Sequence, residues 1–315
     1  MSLGLIGWFA AGCAYDAPSV VVDQASYTAA CEALLGTLPP LRCADGELVP
    51  VTVTRDGHAQ VVTRLADLED GFRCDRPSGL SGCVPGSRLV VSQTSRGVPV
   101  VLVCRQYDEH PGDADRYDQI GVIASDPASG ATCFWSTPED GLRRGDPVPR
   151  PGSPDDVGWG ERSFWYTWEE LKGNACVACH DHDAWVQDPW IQGFGVPAGR
   201  PDRYHVVAQA ALGWTFPDDL VHPDAAPCAS CHPLRRGSCE LSMDATGRTT
   251  WTMPVSSAAM TWPASRWMDS YDPAVMAARY PSEAAWEAQW GAAADTIAAC
   301  CTGTLVEGCW GDAAP

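Results

Sequence analysis

Cysteine and histidine recur twice at one spacing in this chain, as Cys176-Val-Ala-Cys179-His180 and as Cys228-Ala-Ser-Cys231-His232. Two thiols three positions apart, with a histidine directly behind the second, can do three kinds of chemistry. They can hold a zinc ion, or form a disulfide, redox-active or structural. They can also add to the two vinyl groups of one haem, which places the following imidazole under the iron as its proximal ligand. With 15 Cys and 7 His in 315 residues, a shuffled chain would contain about 0.02 such pentapeptides, and about one shuffled chain in ten thousand would hold two. Composition does not explain the repetition.

The spacing separates the three chemistries. Zinc knuckles usually follow one another within about 15–20 residues, whereas Cys179 and Cys228 lie much further apart, and zinc needs no histidine directly after each pair. A thioredoxin-like dithiol needs one motif in a βαβ context, which surrounds neither copy. Covalent haem uses all six residues. On these motifs and their flanks the chain resembles the c-type cytochromes. The resemblance implies two haem c groups, the first on Cys176 and Cys179 with His180 below its iron, the second on Cys228 and Cys231 with His232. It also implies attachment outside the bacterial cytoplasmic membrane.

The sixth position of each iron can take His, Met, water or nothing. Met253 is the first choice for the second haem, because Pro254 follows it, as often happens at the distal methionine of the cytochromes that the motif resembles. His222 is the choice for the first haem, in a Pro-rich run that can fold back without disturbing a helix. His205 follows closely, on a helix expected over Arg203 to Leu212. His182 stands too near His180 to reach the far face of the same haem, but could serve the other one. Histidine lowers an iron's reduction potential and methionine raises it, so unequal ligands would give the pair a direction.

The remaining cysteines bear on compartment. Setting aside the four of the motifs and Cys13, ten remain, an even number that permits five disulfides and points to an exported chain. The run Ala10-Ala11-Gly12-Cys13 looks like a bacterial lipoprotein cleavage site with Cys13 as the lipidated residue, although the apolar stretch before it is short and lacks Lys or Arg. Such an anchor would give peripheral membrane association. No segment reaches the roughly 18 apolar residues of a transmembrane helix. A formal charge of −19 argues against nucleic acid and for a redox partner with a basic docking face.

These groups need elements to hold them. The expected class is α+β: a disulfide-stapled, antiparallel β-rich N-terminal domain, then a mostly α-helical, loop-rich dihaem domain. The expected divisions are a lipoprotein-like signal and linker (1–22), the β-rich domain (23–145), a Pro/Gly linker (146–160) and the dihaem domain (161–315). Ser26 can cap a helix to Leu35 that Gly36 ends, with Tyr27 and Cys31 on one face. Strands are expected over Val49–Thr54, Gln60–Thr63, Arg88–Ser92, Val98–Val103 and Ile120–Ala124. Candidate staples are Cys31 with Cys43, Cys74 with Cys83, Cys104 with Cys133, and Cys300 or Cys301 with Cys309, the other reaching Cys239.

Asp113, Asp115 and Asp118 alternate in a loop without EF-hand spacing and read as a solvated loop, and His58 and His110 read as surface histidines. Thr167 and Glu170 fit a capping box, so a short helix should deliver the chain to Cys176, with the aromatics of 163–168 able to wall a haem. Ser282 can cap a last helix carrying Trp286, Trp290 and Ile297. Three functions remain open: a carrier of single electrons, a dihaem enzyme of peroxidase type with one open iron, and a surface-anchored binding or redox-sensing lipoprotein. No Ser/His/Asp order or phosphate loop suggests chemistry independent of haem.

Overall fold

A computed structural model describes residues 21–55, 58–68, 83–110, 112, 115–156, 163–178, 180, 184–185, 204–216, 218–226, 288, 291–305 and 307–311. In chain order the strands are β1 (Glu47–Leu48), β2 (Val51–Arg55), β3 (His58–Val62), β4 (Arg88–Gln93), β5 (Pro99–Arg105), β6 (Arg116–Tyr117), β7 (Gln119–Ser125), β8 (Ala131–Ser136), β9 (Arg143–Arg144), β10 (His205–Val206), β11 (Asp219–Leu220) and β12 (Trp310–Gly311). The helices are α1 (Gln24–Leu35), α2 (Trp168–Gly173), α3 (Gln209–Leu212) and α4 (Ala292–Thr302).

Six strands form one sheet in the order β1-β4-β5-β7-β8-β10. Its neighbours run antiparallel except at the last pair, where β10 lies parallel to β8. Among the described residues the β2–β3 hairpin, expected within the main sheet, forms a separate two-stranded sheet, and β6–β9 and β11–β12 are further two-stranded ribbons. All five expected strand runs are strands, displaced by up to two residues at their ends.

The period of two along a strand gives the sheet two apolar faces. Val100, Leu102 and Cys104 of β5 join Ile120 and Val122 of β7 beneath α1, while Val101 and Val103 join Leu89, Ala184 and Trp185 on the other side. Helix α1 starts two residues before the expected point, because Asp23 is the N-cap: its carboxylate accepts the Ser26 N–H at 2.8 Å, and the Ser26 hydroxyl accepts the Asp23 N–H in return. Tyr27, Cys31 and Leu35, four residues apart, form its buried stripe. Gly36 ends it at a φ of +90°, where a Cβ would stand 2.9 Å from the Arg96 nitrogen.

Two bridges fasten the upper layer to the sheet. Cys31 of α1 bonds Cys133 of β8, and Cys43 bonds Cys104 of β5. The expected pairs Cys31–Cys43 and Cys104–Cys133 are therefore corrected. Strand β7 lies between β5 and β8, so Cys104 and Cys133 are not on adjacent strands, and each bonds to the layer above it instead. Cys300–Cys309 forms as expected, and Cys83 and Cys301 are also disulfide-bonded. Cys74 and Cys239 lie outside the described residues.

The Pro-rich stretch after Gly145 is strapped to the α1 layer. Arg42 makes two hydrogen bonds to the Asp146 carboxylate, at 2.6 and 2.7 Å, the Val148 N–H donates to the Leu41 carbonyl at 3.0 Å, and Arg150 pairs with Glu32. Beyond it, Phe164, Trp165, Trp168, Leu171, Val177, Val206, Leu212 and Trp214 enter the same core as Tyr27 and Trp135. Described residues on the two sides of 146–160 thus share one apolar core.

The described part of 161–315 is not mostly α-helical. It mixes α2, α3 and α4 with β10, β11 and β12. The helix expected over Arg203–Leu212 is replaced by β10 and then the four-residue α3. Val206 and Val207 are β-branched, and the Val207 N–H completes the edge by donating to the Thr132 carbonyl at 2.9 Å. In the last helix Ile297 is fully buried, while Ser282, Trp286 and Trp290 lie outside the described residues.

Candidate functional site

The approach to the first motif begins at α2. Thr167 caps it in the expected box, its hydroxyl accepting the Glu170 N–H and the Glu170 carboxylate accepting the Thr167 N–H at 2.8 Å. Trp168 and Leu171 turn into the core. The helix stops at Asn174, and the Trp214 indole N–H donates to the Lys172 carbonyl at 3.1 Å, tying the helix end to the segment after α3.

Cys176–Ala178 then forms a single 3-10 turn. The His180 N–H donates to the Cys176 carbonyl at 2.9 Å, closing an i to i+4 turn across the motif. Cys176 and His180 are the described members of the first motif, the residues that would supply a thioether sulfur and a proximal nitrogen to a haem c. Cys179 lies outside the described residues.

The surroundings come from the sheet. The Phe134 ring of β8 lies 5.2 Å from the His180 ring, with Tyr204 and Trp214 at 6.1 and 6.2 Å from Phe134, and Phe216 closes on Tyr204 at 5.1 Å. The Tyr204 hydroxyl donates to the His180 carbonyl. Around Cys176 stand two phenols. Burial pushes the Tyr27 hydroxyl far up, and burial reinforced by Glu139 raises Tyr166, so both are neutral at physiological pH. Val177 packs on the α1 side of the sheet and Ala184–Trp185 on the opposite side, which leaves His180 between the residues that cover the two faces.

Other expected ligands fall elsewhere. His205 is on β10 with an exposed side chain, not on a helix. His222 caps a 3-10 turn over Pro223–Ala225, where its Nδ1 accepts the Asp224 N–H at 3.2 Å. This turn stands beside β11, which pairs with β12 near the Cys300–Cys309 bridge. Cys13, Cys228, Cys231, His232, His182 and Met253 lie outside the described residues. His110 is half-buried rather than superficial: its Nε2 meets the Asp118 carboxylate at 2.8 Å, and the same carboxylate accepts the Tyr107 N–H at 2.7 Å. Asp118 is thus braced, while Asp113 lies outside the described residues.

Sequence reasoning missed Phe134, Tyr204 and Trp214. The signal for Phe134 was present, since Ala131-Thr-Cys-Phe-Trp-Ser136 is a β-prone run behind a turn that Asp126 closes by accepting the Ala128 and Ser129 N–H groups. Tyr204 carried none, because its role depends on β10 reaching β8. Comparison with known protein families, curated proteins and solved structures finds no match to this chain.

Proposed function

We propose that the chain is a c-type cytochrome carrying two covalent haems, which passes single electrons in the bacterial periplasm or at the cell surface. The observation that carries the reading is the pair of Cys-x-x-Cys-His motifs, Cys176/Cys179/His180 and Cys228/Cys231/His232. It gains support from the hydrogen-bonded turn that brings the His180 N–H to the Cys176 carbonyl. When bound, each haem supplies reversible one-electron chemistry at its iron.

The chain's own residues hold and shield. Cys176 and Cys179 supply the thioether sulfurs of the first site and His180 its proximal nitrogen; Cys228, Cys231 and His232 do the same at the second. Phe134 packs on the His180 ring, with Tyr204 and Trp214 set against Phe134. His222, Met253 and His205 remain the proposed sixth ligands, with His205 weakened by its exposure. The disulfides Cys31–Cys133, Cys43–Cys104 and Cys300–Cys309 favour an oxidising compartment. Among the described residues no helix is long and apolar enough to cross a membrane; the proposed membrane attachment is a lipid on Cys13. The charge of −19 suits a basic redox partner and opposes nucleic acid.

A pyridine haemochrome assay on chain made with a cytochrome c maturation system should give two haems per chain. Replacing Cys176 and Cys179 by Ser should halve that value, as should replacing Cys228 and Cys231. A colourless product, or pigment that acidic acetone extracts, overturns the reading. Two low-spin irons indifferent to cyanide and peroxide are the carrier's signature, whereas a high-spin iron that turns over peroxide would move the chain to the peroxidase-type enzyme.

A further inference from the structure

We infer that the sheet positions the His180 imidazole through two residues outside the motif, Phe134 and Tyr204. The inference rests on the haem reading for its consequence, but not for its geometry.

Contacts to both of its peptide groups and to its ring hold His180. Its N–H is bonded to the Cys176 carbonyl, its carbonyl accepts the Tyr204 hydroxyl, and its ring lies 5.2 Å from the Phe134 ring. The first contact is internal to the motif and fixes only the turn. The other two come from the end of the sheet: Phe134 is on β8, and Tyr204 immediately precedes β10, which runs parallel to β8 with His205 opposite Ala131. Pairing of β10 with β8 therefore brings the ring contact and the carbonyl contact to one residue.

Fixing both peptide groups of a residue fixes its Cα–Cβ direction, and a ring packed on the imidazole then limits rotation of the side chain. Outer contacts of this kind orient a metal-binding histidine and tune the group it serves. Phe134 is itself fixed, at 2% exposure, because its N–H donates to the Tyr27 hydroxyl and Cys133 beside it is bridged to α1. Phe134 and Tyr204 are positioning residues.

The test has two arms on the full-length chain. In haem-free protein, the His180 ring protons should show a ring-current shift in the NMR spectrum that Phe134→Leu abolishes. In haem-loaded protein, Tyr204→Phe keeps the ring packing and removes only the hydroxyl. It should leave two haems per chain, yet change the electron paramagnetic resonance signal and midpoint potential of one haem while the other stays as in the parent. Phe134→Leu should move the same haem. If both variants load fully and both haems keep the parent signal and potential, the positioning role is wrong. If the haem-free shift is present but no haem attaches even to the parent, the haem reading fails while the clamp on His180 stands. Absence of the shift in the haem-free parent sinks the clamp whatever the haem content.

Discussion

At the scale of single residues, several carboxylates are held ionised by their partners, which makes stability depend on acid. The Arg42 guanidinium keeps Asp146 below the usual carboxylate range, the Ser129 hydroxyl does so for Asp126, and the Ser26 hydroxyl for Asp23. A group whose folded pKa is depressed contributes stability above its unfolded value of about 3.9 and loses it as pH falls through the folded value. The urea midpoint should therefore hold between neutrality and about pH 5 and fall as the pH is lowered through about 4 and below. Arg42→Ala should make the fall shallower by removing the Asp146 share, and an acid profile identical to the parent would contradict that assignment.

At the scale of elements, the connection that matters most is between α1 and β8. Tyr27 and Thr28 of α1 face Phe134 and Trp135 of β8, with the Trp135 indole N–H donating to the Thr28 hydroxyl at 3.1 Å, and the Cys31–Cys133 bridge closes a separation of 102 residues. A loop of about 100 residues corresponds to about 4.7 kcal/mol in the chain-entropy account. The Cys43–Cys104 bridge lies inside that loop and shortens its effective length, so replacing Cys31 and Cys133 by Ala should cost about 4 kcal/mol. Urea unfolding of the double variant measures it, and a loss below about 1 kcal/mol would mean that packing alone fixes α1 on the sheet.

At the scale of the whole molecule, the first motif is built onto the β sheet. Fragment 161–315 expressed alone would lack β8 beside β10, Phe134 beside His180, and the α1 side of the core that receives Trp165 and Trp168. It should show no cooperative urea transition and a red-shifted tryptophan emission, whereas a folded fragment would show that the C-terminal half stands alone. The sequence by itself determined the candidate chemistry, because thioether attachment needs only a local spacing of Cys, Cys and His. It also determined the five strand runs and the Thr167–Glu170 cap, which local alternation and capping dictate. Only the tertiary structure decided what surrounds His180, which cysteines bridge, and that residues near 205 close a sheet begun near 47. Those outcomes depend on which strands become neighbours, and a contact between segments about 70 or 100 residues apart leaves no periodicity in either of them.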